Sequence, residues 1–172
     1  MEKIFTKKHY NSPDGMLTSV WGPPLWHTLH TISFNYPIKP DSNDIKNYYT
    51  FFKSLENILP CKYCRDNLKN NLKVVKLNKS VFKNRYTLAK WVYNLHEEVN
   101  KMLGKKSNLT FEKIQDRYEN FRARCLKKSN KESGCNESLY GVKGKCILNI
   151  VPKDNRSPSL KIDPKCKVKK IK

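Results

Sequence analysis

The sequence predicts an all-α fold: a four-helix bundle with a short fifth helix packed across it, followed by an irregular C-terminal tail. Three observations predict it. Four segments before residue 104 carry apolar residues at helical spacing. The connections between them are short, which suits antiparallel neighbours in a bundle. No strand alternation rises above noise before residue 125. With 38% hydrophobic and 11% aromatic residues among 172, the chain can bury a core of its own.

The first stripe is Leu25, Leu29, Ile32 and Tyr36, within Trp21 to Tyr36. "PDSND" interrupts it and offers Asp41 or Ser42 as the N-cap of the next helix, because a short side-chain oxygen can take up a free first-turn N–H. That second helix carries Ile45, Tyr48, Tyr49, Phe52, Leu55 and Leu59. A shorter third helix runs from about Cys61 to Leu72. The fourth spans about Asn84 to Leu103, with Leu88, Trp91, Val92, Leu95, Val99, Met102 and Leu103 on one face. Gly104 stops it, since glycine enters the left-handed conformation that closes a helix. The fifth, Thr110 to Phe121, turns Phe111, Ile114, Tyr118 and Phe121 inward. After Cys125 the pattern ends in a stretch rich in Lys, Ser, Asn, Gly and Pro, where only "KCILNIVP" reads as a brief strand. The expected division is a folded domain over 1–125 and a basic, cysteine-containing tail over 126–172.

The formal net charge is +20 and the pI about 9.8. Residues 1–125 hold 22 basic and 11 acidic side chains, and 126–172 hold 13 and 4, so the tail is the denser in charge. Such a chain keeps nucleic-acid binding open. Lys and Asn scattered over every segment favour a plain compositional bias instead. No stretch approaches the ~18 apolar residues of a membrane span, and "MEKIFTKKHYNSPDG" lacks the apolar run of a secretory signal. The expectation is a soluble protein in a reducing compartment, where close cysteines are more often catalytic or metal-binding than structural.

The chemistry gathers at "PCKYC". Cys61 and Cys64 sit at the start of a helix, where unpaired N–H groups and the helix dipole favour a thiolate. Lys62 and Arg65 add positive charge. Redox chemistry is favoured over a zinc site and over an inert pair. Zinc needs two further ligands, and Cys125, Cys135, Cys146 and Cys166 never repeat the Cys-x-x-Cys spacing. Two more pairs stand one helical turn apart: Trp26 with His30, and His96 with Asn100, the latter followed by Lys105. Alone, each histidine reads as a satisfied half-buried helix residue.

Three blocks in this order, "WGPPLWHTLH…YP", "PCKYC" and "LHEEVNKMLGK" followed by "DRYENF", make residues 18 to 122 resemble the Erv/ALR-type sulfhydryl oxidases, small flavin-dependent thiol oxidases. The "WGPPLW" form and the Lys/Asn-rich composition look most like members encoded by large DNA viruses. The resemblance implies FAD at the mouth of the bundle, contacted by Gly22, Pro23, Trp26, His30, Tyr36, His96, Val99, Asn100 and Lys105, with Tyr118 where many members have tryptophan. It implies no metal. Cys61 would meet the substrate thiol and Cys64 would face the flavin, so that electrons from protein thiols pass through the pair and the flavin to O2, giving H2O2. The implied partners are a thiol-containing protein, such as a thioredoxin-like carrier, O2 and a second copy of the chain, with no membrane. The expected location is the cytoplasm of an infected host cell (a virus factory) or the virion, without secretion. The rival reading is a basic nucleic-acid-binding protein with a cysteine-based zinc site.

Two positions depart from the family pattern. Tyr93 and Phe111 stand where many cellular members have a structural disulfide, and an aromatic contact would replace it. Pro23 stands where many have arginine. Members usually carry a second cysteine pair on a flexible arm. Residues 1 to 20 have no cysteine, so a shuttle here would lie in the tail, with Cys135 and Cys146 as the candidates. A structural clip on the tail is the equal alternative.

Overall fold

The computed structural model describes residues 5–123, 135, 138–139, 146–148 and 160–162, the last two segments as backbone. Contacts divide the chain into residues 1–114 and 115–172. The division falls inside the last helix, eleven residues before the boundary expected at 125.

The first unit contains α1 (Lys7–Tyr10), α2 (Thr18–Phe34), α3 (Ser42–Ile58), α4 (Lys62–Val74), a 3-10 turn (Lys79–Phe82), α5 (Arg85–Met102) and the start of α6 (Phe111–Glu119). The four long helices are the expected bundle. α1 has no sequence signal longer than a single turn. α3 begins at Asp41, whose side chain accepts the Asp44 N–H while Asp44 returns a bond to the Asp41 N–H. Asn84 and Thr87 build the same reciprocal cap on α5. At the other end of α5, the Gly104 N–H reaches Lys101 O and the Lys105 N–H reaches Asn100 O, with Gly104 at φ +66. That Schellman closure satisfies the last carbonyls and brings the backbone of Lys105 back to Asn100.

α2 starts three residues before the expected Trp21 and encloses Pro23 and Pro24. Its first turn forms ahead of the prolines, with the Val20 N–H donating to Leu17 O. The two N–H groups that the prolines lack would have met Ser19 and Val20, whose exposed positions leave those carbonyls to water.

The core lies among α2, α3, α4 and α5: Leu29, Phe52, Leu55, Leu68, Leu88, Trp91, Val92 and Leu95 form one buried cluster. Phe52 meets the Trp91 ring edge-on at 5.3 Å. Each such side chain contributes about 1.5–3 kcal/mol on burial. Four residues of the expected stripes fall outside: Tyr49, Met102, Leu103 and Phe121 are exposed. The last three lie in or just past the last turn of their helices, where the helix runs beyond its packing partners.

In the second unit, Ala123 pairs with Ser138 and the Leu139 N–H donates to Arg122 O. β1 (Cys146–Leu148) pairs antiparallel with β2 (Leu160–Ile162), with Cys146 opposite Ile162. β1 is the brief strand expected in "KCILNIVP". β2 is only three residues long, too short to stand out from its Ser- and Pro-rich flanks. Among the described residues no helix is long and apolar enough to cross a membrane.

Candidate active site

α4 begins at its cysteine. Cys61 has extended backbone angles (φ −152, ψ 124) and is the N-cap, with Sγ accepting the Cys64 N–H at 3.3 Å. Sulfur replaces the usual capping oxygen because no Ser, Asp or Asn stands at this helix start. Both cysteines are free thiols. Cys64 packs against the buried core, and Cys61 lies outside that cluster. This asymmetry separates their acidities. The hydrogen bond from the Cys64 side chain, helped by backbone N–H groups and Arg65, lowers the pKa of Cys61. Burial first, then the Cys61 sulfur, raises Cys64 to about 11. Of the reduced pair, Cys61 is thus the first to give up its proton and Cys64 the one that keeps it. The charged neighbour is held in place, since the Arg65 guanidinium donates to Leu59 O.

A second cluster joins α2 to α5. His30 Nε2 lies 3.1 Å from His96 Nδ1, so one ring donates and the other accepts. Trp26 stacks flat on His96, with centroids 4.0 Å apart and planes 4° from parallel. His30 is 3% exposed. Burial, then the neighbouring His96 and His27, hold its pKa down at about 3. Burial lowers His96 as well, against the pull of Glu97. Near neutral pH both are uncharged rings with flat faces and ring nitrogens that can donate or accept.

This cluster makes the fold acid-sensitive. The folded pKa of His30 lies below its unfolded value of ~6.5, so below that pH the unfolded chain takes up a proton that the folded chain refuses. Stability is therefore full above pH ~6.5 and falls as pH drops toward 3, by about 1.4 kcal/mol per pH unit for one such histidine. Melting temperatures of the wild type and His30→Gln between pH 7 and 4 check this. The wild type should lose stability more steeply, and equal slopes would contradict it.

Farther along α5, Asn100 Nδ2 donates to Glu97 Oε1 and Ser107 Oγ donates to Glu97 Oε2, both at 3.0 Å. Glu97 ties the end of the helix to the loop that follows it. Sequence reasoning missed Glu97 and Ser107, although the i, i+3 spacing of Glu97 and Asn100 in "HEEVN" was a readable signal. Val99 is half-buried and Lys105 exposed.

The remaining expected residues are placed as follows. Gly22 and Pro23 are in the first turns of α2, and a Cβ added at Gly22 would meet nothing within 4 Å. Tyr36 is fully buried. Its hydroxyl donates to Phe82 O at 3.0 Å, and its carbonyl accepts from Arg85 Nε at 2.7 Å. These contacts make it a core residue that joins the α2–α3 connection to the 3-10 turn. Tyr118 belongs to the second unit, where it is buried and meets Phe121 edge-on at 5.6 Å. Cys135 is disulfide-bonded. The side chain of Cys146 lies outside the described residues, as do Cys125 and Cys166. The aromatic contact expected in place of a disulfide is present, with Tyr93 and Phe111 edge-on at 5.6 Å and Lys90 Nζ over both rings. Among the described residues no group of three His, Cys, Asp or Glu side chains is placed to hold a metal ion.

The chain is 40% identical over 86 residues to the "Probable FAD-linked sulfhydryl oxidase R368" of Acanthamoeba polyphaga mimivirus, a match covering 50% of this chain and 60% of that protein. It is 29% identical over 84 residues to the FAD-linked sulfhydryl oxidase ERV1 of Arabidopsis thaliana, covering 49% of this chain and 42% of that one. The chain thus spans about three fifths of the viral relative and less than half of the plant one. Its fold matches the crystal structure of the FAD-binding domain of Erv1 from Saccharomyces cerevisiae with a TM-score of 0.54 at 23% identity, over 60% of this chain and 94% of that one. The Erv1/Alr family model matches residues 23–119. That match takes in most of α2, all of α3 to α5, the Cys61–Cys64 pair and the whole of α6, so the chain belongs to the Erv1/Alr family.

Proposed function

We propose that the protein is an FAD-dependent sulfhydryl oxidase that makes disulfide bonds in protein thiols: 2 R–SH + O2 → R–S–S–R + H2O2. The observation that carries the proposal is the asymmetric cysteine pair at the start of α4. In the oxidised protein, a substrate thiolate attacks Sγ of Cys61, the sulfur outside the core. A Cys61–substrate disulfide forms and the Cys61–Cys64 bond breaks. Cys64 leaves and takes up a proton, as its raised pKa favours. A second substrate thiolate attacks the substrate sulfur of the mixed disulfide. The new substrate disulfide departs, and Cys61 is released as the thiolate that its environment stabilises, which makes it the better leaving group.

FAD, when bound, supplies the two-electron acceptor that relays the electrons of the reduced pair to O2. The chain's residues suit such a group. Trp26 and His96 already form a flat stack. His30, His96 and Asn100 offer neutral hydrogen-bonding groups, Gly22 leaves open space, and Lys105 offers a cation for a phosphate. Val99 and Pro23 would add apolar contact.

The reading has further parts. The substrate is a protein dithiol, of a thioredoxin-like carrier or another thiol protein. The working form is a homodimer through α2 and α3, which suits the apolar groove of about 270 Å³ lined by Trp21, Leu25, Leu55 and Ile58. The location is the cytoplasm of an infected cell or the virion. Cys135 and Cys146 relay electrons from the substrate to Cys61.

Purified protein should show flavin absorbance, consume O2 when given dithiothreitol, and melt at a higher temperature with added FAD, because FAD binds only the folded state. A colourless protein that FAD neither reconstitutes nor stabilises would sink the proposal. In the same assay, Cys135→Ser should spare dithiothreitol oxidation and slow oxidation of a reduced protein. Equal rates would remove the relay, and a monomer's mass by light scattering would remove the dimer.

A further inference from the structure

The segment before α2 lies directly on the cysteine loop. The Met16 N–H donates to Pro60 O at 2.7 Å, and the Trp21 indole N–H donates to Met16 O at 2.9 Å. Both main-chain polar groups of one residue are therefore used. One holds the carbonyl immediately before Cys61, and the other holds the first turn of α2. At Gly15 the approach is closer still. A Cβ there would lie 2.6 Å from Pro60 O and 3.1 Å from the Cys61 Cα. The first distance is shorter than real Cβ contacts allow, and the obstacle is backbone, which cannot swing aside. Glycine is the residue that lets the two backbones meet. The side chains of Met16 and Leu17 contribute little to this contact, since they are 69% and 68% exposed. The strap is held through its main chain.

We propose that Gly15, Met16 and Trp21 form a clamp that positions Cys61 for thiol exchange, with Gly15 and Trp21 as positioning residues of the redox centre. The inference rests on the reading of Cys61 and Cys64 as the exchanging pair. Cys61 accepts the Cys64 N–H only while its own backbone stays extended, and the residue that precedes it is the one the strap grips. Pro60 has no N–H with which to brace the turn itself, so the brace comes from outside, through its carbonyl. If the clamp is released, the Pro60–Cys61 peptide is free to rotate, and the sulfur leaves the helix N-terminus that stabilises its thiolate. The groups acting on Cys61 from α4 are the Cys64 thiol and the Arg65 guanidinium. The strap carries one carboxylate, Asp14, beside Gly15.

The test is the pH dependence of Cys61 alkylation by iodoacetamide, mapped by mass spectrometry on reduced full-length protein without FAD. The midpoint reports thiolate stabilisation, and the plateau at high pH reports access. Gly15→Ala should raise the midpoint, so that Cys61 alkylation at neutral pH falls about ten-fold, while the plateau does not fall. Trp21→Phe keeps an aromatic ring, though a smaller one, removes the indole donor, and should shift the midpoint in the same direction by a smaller amount. Asp14→Ala should leave it unchanged. Wild-type midpoints in folded Gly15→Ala and Trp21→Phe would overturn the proposal, as would an Asp14→Ala shift equal to that of Gly15→Ala, which would assign the effect to charge. If Gly15→Ala does not fold, Trp21→Phe decides alone. Failure of the oxidase reading shows separately, as absent O2 consumption in the wild type.

Discussion

Cys64→Ser is expected to abolish thiol oxidation, with O2 consumption falling to the uncatalysed background, and Cys61→Ser should do the same. The two variants then part in the thiol that remains. Serine at position 64 can still donate a hydrogen bond to Cys61, and the backbone N–H groups and Arg65 stay in place, so Cys61 should keep much of its lowered pKa and alkylate readily at neutral pH. Serine at position 61 removes the neighbouring sulfur from Cys64 but not its burial, which is the largest cause of its raised pKa. Cys64 should then titrate below about 11 and still above an ordinary thiol, and alkylate slowly. Thiolate absorbance in the ultraviolet against pH measures both. If Cys64 proves the more acidic and reactive sulfur, the roles of the two cysteines are exchanged. If Cys64→Ser still turns over, the pair is not the redox centre.

Phe111→Ala should be among the most destabilising single changes outside the redox centre. Phe111 is 2% exposed and gathers four neighbours. Tyr86 and Tyr93 meet it edge-on at 5.4 and 5.6 Å, Phe34 stacks on it at 6.2 Å, and Lys90 Nζ lies 4.5 Å from its ring centre. Truncating a buried phenylalanine costs about 3–5 kcal/mol, through lost burial and the cavity left behind. Tyr93→Phe keeps the ring and loses only the hydroxyl bond to Leu109 O, at 2.9 Å, so it should cost about 1 kcal/mol. Denaturant unfolding of the two variants checks the ratio. A near-equal loss would mean that the hydroxyl bond, and not the ring cluster, fastens α6 to α5. Edge-to-face pairs add only about 0.5–1.5 kcal/mol beyond burial, so most of the expected loss comes from the burial of the Phe111 ring.

The helices and the cysteine pair were legible in the sequence because their signals are local. Apolar spacing marks α2 to α5, the glycine at position 104 ends α5, and Cys61 with Cys64 announces itself by spacing alone. The pairing of Trp26 with His30 and of His96 with Asn100 was visible as one-turn spacing along two separate helices. That His30 and His96 touch, and that Trp26 stacks on the other helix's histidine, depends on how α2 and α5 pack.

Tyr36 combines the two levels. It closes the α2 stripe, and the turn at Asn35 carries it into the core, where its hydroxyl donates to Phe82 O. The clamp at Gly15 left no trace in any local pattern. A glycine after "SPD" reads as an ordinary loop residue, and only the meeting of residues 15 and 60 makes its missing side chain matter. The same holds for the two thiols. Sequence spacing places both at a helix N-terminus and favours a thiolate for each. Which sulfur keeps the proton follows from burial, and burial exists only once α4 has packed against the bundle.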